Sequence, residues 1–354
     1  MTMTHAFLKY CVSILLTGIT AVIMPSDRAH GATSPIKACS TVPELGSLAR
    51  EIGGDRIAVT VFAKGTEDAH FVEAKPSFIK ALSQCELYLE IGLELELGWA
   101  PVLLAQARNR QILPGAIGHL DASTAITPLD VPTGSIDRSM GDVHPRGNPH
   151  YLLDPLNGLK VARLIKAKLS ALRPQAAAYF DGRLNGFVDK FSTALIGPQL
   201  AAKYRIEEVE KLMRLYELGK LTPYLGSQGE TELLGGWLGV MRPYFGAKAI
   251  DDHAMWPYFA HRFGIEIIGH IEPKPGIPPT MSHLQRLIEQ MRALGIKVVI
   301  TAAYYDPRHA QFITKNTGAI AVPLAHMAGA RPGTENYLGL IDYNVRQLAL
   351  AFQR

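Results

Sequence analysis

The sequence predicts an α/β protein of two lobes, each a largely parallel sheet flanked by helices, on three observations. Short β-like runs alternate with amphipathic helical stretches in both halves of the chain. A long helical pattern separates the two halves. The 354 residues suffice for two domains of ordinary size.

Taken in order, Val42 to Ile52 reads as a helix and Ile57 to Phe62 as a strand. Pro76 to Leu82 reads as a second helix, because Pro76-Ser77 suits a helix start, and Glu86 to Ile91 reads as a strand. A helical pattern then runs from about Asn157 to Tyr204 with a break near Pro174. The segment Gln175 to Leu195 holds no proline and reads as one long connecting helix, placed at 175–201. In the second half, Lys248 to Ile250, Ile265 to Ile271, Lys297 to Thr301 and Ala319 to Pro323 are strand candidates. Ser282 to Leu294 is a helix stopped by Gly295 in the usual position. The domain reading is therefore 32–174, 175–201 and 202–354, with a charged amphipathic insertion near 203–235. No internal repeat or low-complexity tract is visible.

Residues 1–31 read as a cleavable signal peptide. Lys9 precedes an apolar run from Cys11 to Met24, and small residues surround a cut after Gly31. The run is shorter than the roughly 20 residues of a membrane-spanning helix, and no later stretch is long and apolar. The expected product is soluble and exported. Cys39 lies too far downstream for a lipid anchor, and an oxidising compartment leaves a disulfide between Cys39 and Cys85 open. The formal charge of +4, without blocks of like charge, argues against nucleic acid as a partner.

Twelve histidines are too many to interpret by presence alone. His261, His270, His283 and His309 lie on or beside predicted elements and read as surface or satisfied core residues. His70, His150 and His253 differ, because each stands where a strand gives way to a loop or a helix. Ligands of parallel sheets bind outside the carboxyl ends of strands. The spacing alone leaves both a shared metal and three unrelated histidines open.

The stretch GNPHYLLDP resembles the Asn-Pro-His-x-x-x-Asp-Pro motif of the zinc/manganese-specific substrate-binding proteins of bacterial ABC transporters. TEDAHFVEAKPSFIKAL is similar to that family's segment before its Pro-Ser helix, and DDHAMWPYFAHRFG to the segment carrying its third ligand. IEPKPGIPPTMSHL and NYLGLIDYN extend the likeness over nearly all of the mature chain. Two changes depart from the pattern: Ala69 replaces a proline and Leu152 a tryptophan, and neither removes a ligand atom.

The resemblance implies two α/β lobes joined by one long helix, with metal in the cleft between them. It implies a monomeric periplasmic receptor rather than an enzyme, one that passes a divalent metal to the membrane permease of an ABC importer. The family's ligands fall on His70, His150 and His253. The usual fourth carboxylate is missing, and His326 is the expected substitute, with Asp306 or water as rivals; His144 and His119 are weaker candidates, His144 as an outer contact. A histidine set without a carboxylate favours Zn2+, with Mn2+ a second choice that prefers more oxygen. Binding is expected to fade as the pH falls through about 6.5, where free imidazoles protonate. A zinc hydrolase with an open coordination position and a receptor for a metal chelate are the competing readings. Against the hydrolase stand the missing HExxH helix and the lack of an evident general base.

Overall fold

The computed structural model describes residues 34–134, 144–273 and 277–354. The expected signal peptide lies outside the described residues. No helix among the described residues is long and apolar enough to cross a membrane.

The first lobe runs β1 (Ile36–Ser40), α1 (Pro43–Gly53), β2 (Ile57–Val61), α2 (Pro76–Ser83), β3 (Leu87–Glu90), α3 (Ala100–Ala107) and β4 (His119–Asp121). Its strands are all parallel, in the order β2-β1-β3-β4. Next come α4 (Pro155–Leu172) and α5 (Ala177–Ile196), separated at Pro174 where the sequence pattern breaks. Four shorter helices follow: α6 (Pro198–Ala201), α7 (Ile206–Glu217), α8 (Leu221–Ser227) and α9 (Gly236–Met241). Gly197, at φ 82°, turns the chain out of α5, so α6 is a separate helix. The second lobe runs β5 (Lys248–Asp251), α10 (Pro257–Phe263), β6 (Glu266–His270), α11 (Met281–Leu294), β7 (Val298–Thr301), α12 (Pro307–Thr317), β8 (Ile320–Pro323) and α13 (Tyr337–Phe352). Its strands are again parallel, in the order β6-β5-β7-β8. The two lobes thus share one topology.

Both faces of each sheet are covered, which is why the strands read as continuous apolar runs. Side chains alternate across the sheet with a period of two. Leu87 and Leu89 join the central core while Tyr88 packs outward with Trp99, Leu103 and Ile112. In the second lobe Val298 and Ile300 face the same central core, and Val299 faces Leu284, Leu287 and Ile313. The central cluster is continuous through both lobes and includes residues of α1, α4, α5, α10 and α13.

Cys39 on β1 and Cys85 just before β3 are both buried and both free thiols. The Cys85 thiol donates to the Leu87 carbonyl at 2.9 Å. A hydrogen bond to Cys85, with burial adding to it, pushes the Cys39 thiol far above the ordinary thiol range.

Candidate metal centre

The sequence GNPHYLLDP builds one corner of the centre, each residue by a local interaction. The Asn148 side chain accepts from the His150 backbone N–H at 3.0 Å and donates to the Ala254 carbonyl at 2.7 Å. One amide therefore couples the loop of His150 to the loop of His253. Tyr151 is fully buried and donates to the Ile91 carbonyl at 2.7 Å. Asp154 caps α4 by accepting from Leu156 N–H at 2.8 Å, with Pro155 at the first helical position.

Asp154 also forms a buried bidentate pair with Arg262 of α10, at 2.7 Å from Nε and 2.8 Å from Nη2. Arg262 bridges in addition to Glu217 at the end of α7. The inserted segment therefore braces the helix that follows His253. Tyr337 of α13 donates to the Leu152 carbonyl at 2.8 Å from the far side of the same corner.

His70 sits in a short helical turn capped by Asp68. Asp68 Oδ1 accepts from both the backbone N–H of His70, at 2.9 Å, and its ring Nδ1, at 2.7 Å. That fixes the tautomer and leaves Nε2 as the free donor atom, an arrangement typical of metal-bound histidines. Burial tends to raise Asp68, but its bonds to His70 outweigh this and leave it below the usual carboxylate value.

These elements bring three of the predicted residues together. The rings of His70 and His150 lie 5.4 Å apart, and those of His150 and His253 6.4 Å apart. His144 stands in the same group, with its ring 5.2 Å from that of His70 and the two Nε2 atoms 3.0 Å apart. In the conformation described, no three His, Cys, Asp or Glu side chains among the described residues are drawn in to coordination distance at once. Beside the rings opens a cleft of about 460 Å³ lined by Asp130, His144, Asn148, His150, His253 and His270.

His326, three residues beyond β8, is buried, and its ring lies 4.7 Å from Tyr304. Its Nε2 donates to the Glu67 carbonyl at 3.1 Å, so its Nδ1 carries a lone pair, and that atom is buried without a partner. Asp306 is half spent elsewhere: it caps α12 and binds the Arg308 guanidinium at the surface. His119 pairs with Glu90 at 3.0 Å in the first lobe.

Burial holds the imidazoles neutral. It brings His144, His253 and His326 each down to about 4, with the charge of His70 adding to the effect on the first two. His150 is held well below 6.5 by burial and then by its histidine neighbours. These four nitrogens therefore keep their lone pairs below the pH at which free imidazoles protonate.

The profile of the family described as zinc-uptake complex component A, periplasmic, matches residues 39–195 and 242–351. The chain belongs to this family. The unmatched stretch between the two blocks contains the inserted helices α7 and α8. Among curated relatives, a metal ABC transporter substrate-binding lipoprotein, ScbA of Streptococcus cristatus, is 20% identical over 351 residues, 96% of this chain and 97% of that protein. A manganese ABC transporter substrate-binding lipoprotein, PsaA of Streptococcus anginosus, is 23% identical over 95% of this chain and 96% of its own length. The fold is similar to a crystal structure of ZnuA, with a TM-score of 0.63 at 22% identity, over 90% of this chain and 99% of that one. It is also similar to the Mn-bound periplasmic metal binding protein of Candidatus Liberibacter asiaticus, with a TM-score of 0.60 at 17% identity, over 88% and 97% of the two chains.

Proposed function

We propose that the mature chain is a soluble, monomeric periplasmic receptor that captures a divalent transition metal, zinc first, and delivers it to the membrane permease of an ABC importer. The observation that carries this reading is the gathering of His70, His150 and His253, from loops of both lobes, into one group coupled through Asn148. Membership of the zinc-uptake family supports it, as do relatives named for metal and manganese transport. In this reading residues 1–31 are the export signal, 32–174 and 202–354 the two lobes, and 175–201 their connection.

The chemistry of the donors favours zinc. Imidazole nitrogens are borderline ligands that suit zinc, whereas manganese prefers more oxygen. Rings that stay neutral to about pH 4 need shed no proton before they bind. Capture draws the rings inward from the contact distances described, and the fourth position is open to two imidazoles, His326 and His144. The shared core of the two lobes restricts the accompanying motion to loops and small tilts.

The test is a competition titration of the mature protein with Zn2+ and Mn2+ against a chromophoric chelator. One zinc per chain is expected, bound more tightly than manganese, with His70→Ala, His150→Ala and His253→Ala each weakening zinc by orders of magnitude. Unchanged zinc affinity in all three variants would refute the reading. Zinc-dependent turnover of ester or amide substrates would replace it with the hydrolase.

A further inference from the structure

We propose that His144 supplies the fourth imidazole to the cargo metal, so that the donor set is His70, His144, His150 and His253, with His326 outside it. This rests on the receptor reading above and extends it by one residue.

A neutral imidazole has one N–H. In His70 that proton is committed to Asp68 through Nδ1, so Nε2 presents a lone pair. The Nε2 of His144 lies 3.0 Å from it, so the His144 N–H donates to that lone pair. Moving the His144 proton to its Nδ1 frees both Nε2 lone pairs for one cation. A tetrahedral zinc with Zn–N bonds of roughly 2.0–2.1 Å sets its ligand nitrogens about 3.3 Å apart. The pair need open by only a few tenths of an ångström to hold one.

The loop after β3, whose Leu93 backbone lies beside His144, is strained. Gly92, Leu93 and Glu94 have φ of 76°, 51° and 70°, three successive left-handed residues of which two carry side chains. Such backbone is uncommon for leucine and persists only where its surroundings impose it. Here Glu96 is buried, accepts from Ile91 and Gly92 N–H, and takes the Thr41 hydroxyl. The nitrogen opposite Nε2 is anchored in His70, which is how protein scaffolds orient metal-bound imidazoles. His326 is anchored too, its Nε2 on the Glu67 carbonyl, but its ring packs on Tyr304, whereas the ring of His144 packs on His70.

Affinity alone does not separate the roles, because removing an outer residue also costs about 10–100-fold. The experiment is therefore a count of imidazoles by zinc K-edge X-ray absorption on the zinc-loaded mature protein. It is paired with chelator competition for the parent, His144→Ala, His326→Ala and His70→Ala. Four imidazoles are expected in the parent and in His326→Ala, and three with one oxygen in His144→Ala, with zinc still bound at one per chain. Four imidazoles remaining in His144→Ala would overturn the proposal, and so would a parent with three. A drop to three in His326→Ala alone would assign the position to His326. If His70→Ala binds zinc like the parent, the receptor reading itself fails. If His70→Ala loses zinc while His144→Ala keeps four imidazoles, only this inference fails.

Discussion

Replacing Arg262 with methionine should destabilise the whole protein while leaving every proposed ligand in place. Arg262 is 3% exposed and makes two parallel bonds to Asp154, with a further ion pair to Glu217. The substitution roughly preserves the buried volume but strands the Asp154 carboxylate, which keeps its bond from the Leu156 N–H. Breaking a buried pair from one side costs about 3–5 kcal/mol. At about 2–4 °C per kcal/mol for a chain of this size, that lowers Tm by roughly 6–20 °C. The companion variant Asp154→Asn keeps a competent cap for α4 and removes the stranded charge. The double variant should therefore be less damaged than the sum of the two single ones, with a coupling of about 1–3 kcal/mol in a double-mutant cycle. Urea unfolding of the metal-free protein measures all three. A Tm change below about 2 °C for Arg262→Met, or strict additivity, would refute the claim that this pair joins the His150 corner to α10.

Acid should weaken the metal-free protein. His144, His253 and His326 sit near 4 when folded against 6.5 as free groups, so the unfolded chain takes up more protons between these values. Stability is complete above about 6.5 and drains away towards 4; at pH 5 linkage gives about 2 kcal/mol per histidine, with about 6 kcal/mol an upper bound for three coupled groups. An unchanged Tm of metal-free protein between pH 7 and 5 would contradict this. Gly158→Ala places a Cβ 2.0 Å from the Tyr337 hydroxyl and 2.1 Å from its ring. The gain in helix propensity of about 1 kcal/mol is lost to overpacking of about 1–3 kcal/mol or more, and urea midpoints should fall rather than rise. The two thiols, Cys39 and Cys85, should resist alkylation in the native protein and react after denaturation; a mass two hydrogens lighter before reduction would show instead that they pair.

Much of the fold was legible because apolar runs with buried faces leave a clear period. Ile57 to Val61, Leu87 to Glu90 and Val298 to Thr301 are strands within a residue or two of where the pattern put them. Gly295, left-handed at φ 65°, ends its helix as its position suggested. Strand β1, Ile36–Ser40, carries a lysine and a serine and gives no apolar alternation, although Ser40 is buried and satisfied by the Val42 carbonyl. Strand β4, His119–Asp121, is too short for any period. The common topology of the lobes was invisible for a different reason: strand order depends on which faces are apolar, not on which residues supply them. In the centre, His70, His150 and His253 were marked by their motifs. His144 read as an outer contact, because its approach to His70 joins residues 74 apart in the chain and leaves no local pattern. The carboxylate of Asp306 looked available until its bond to Arg308 was seen.

The contacts that close the molecule are also the most distant in sequence. Ser47 accepts from the backbone N–H of Tyr337, Glu44 from that of Ala328, and the Tyr337 hydroxyl reaches back to Leu152. Loop closure over such separations is slow, and chains rich in these contacts fold late. The first lobe cannot complete its central core until α13, the last helix made, arrives to cover it.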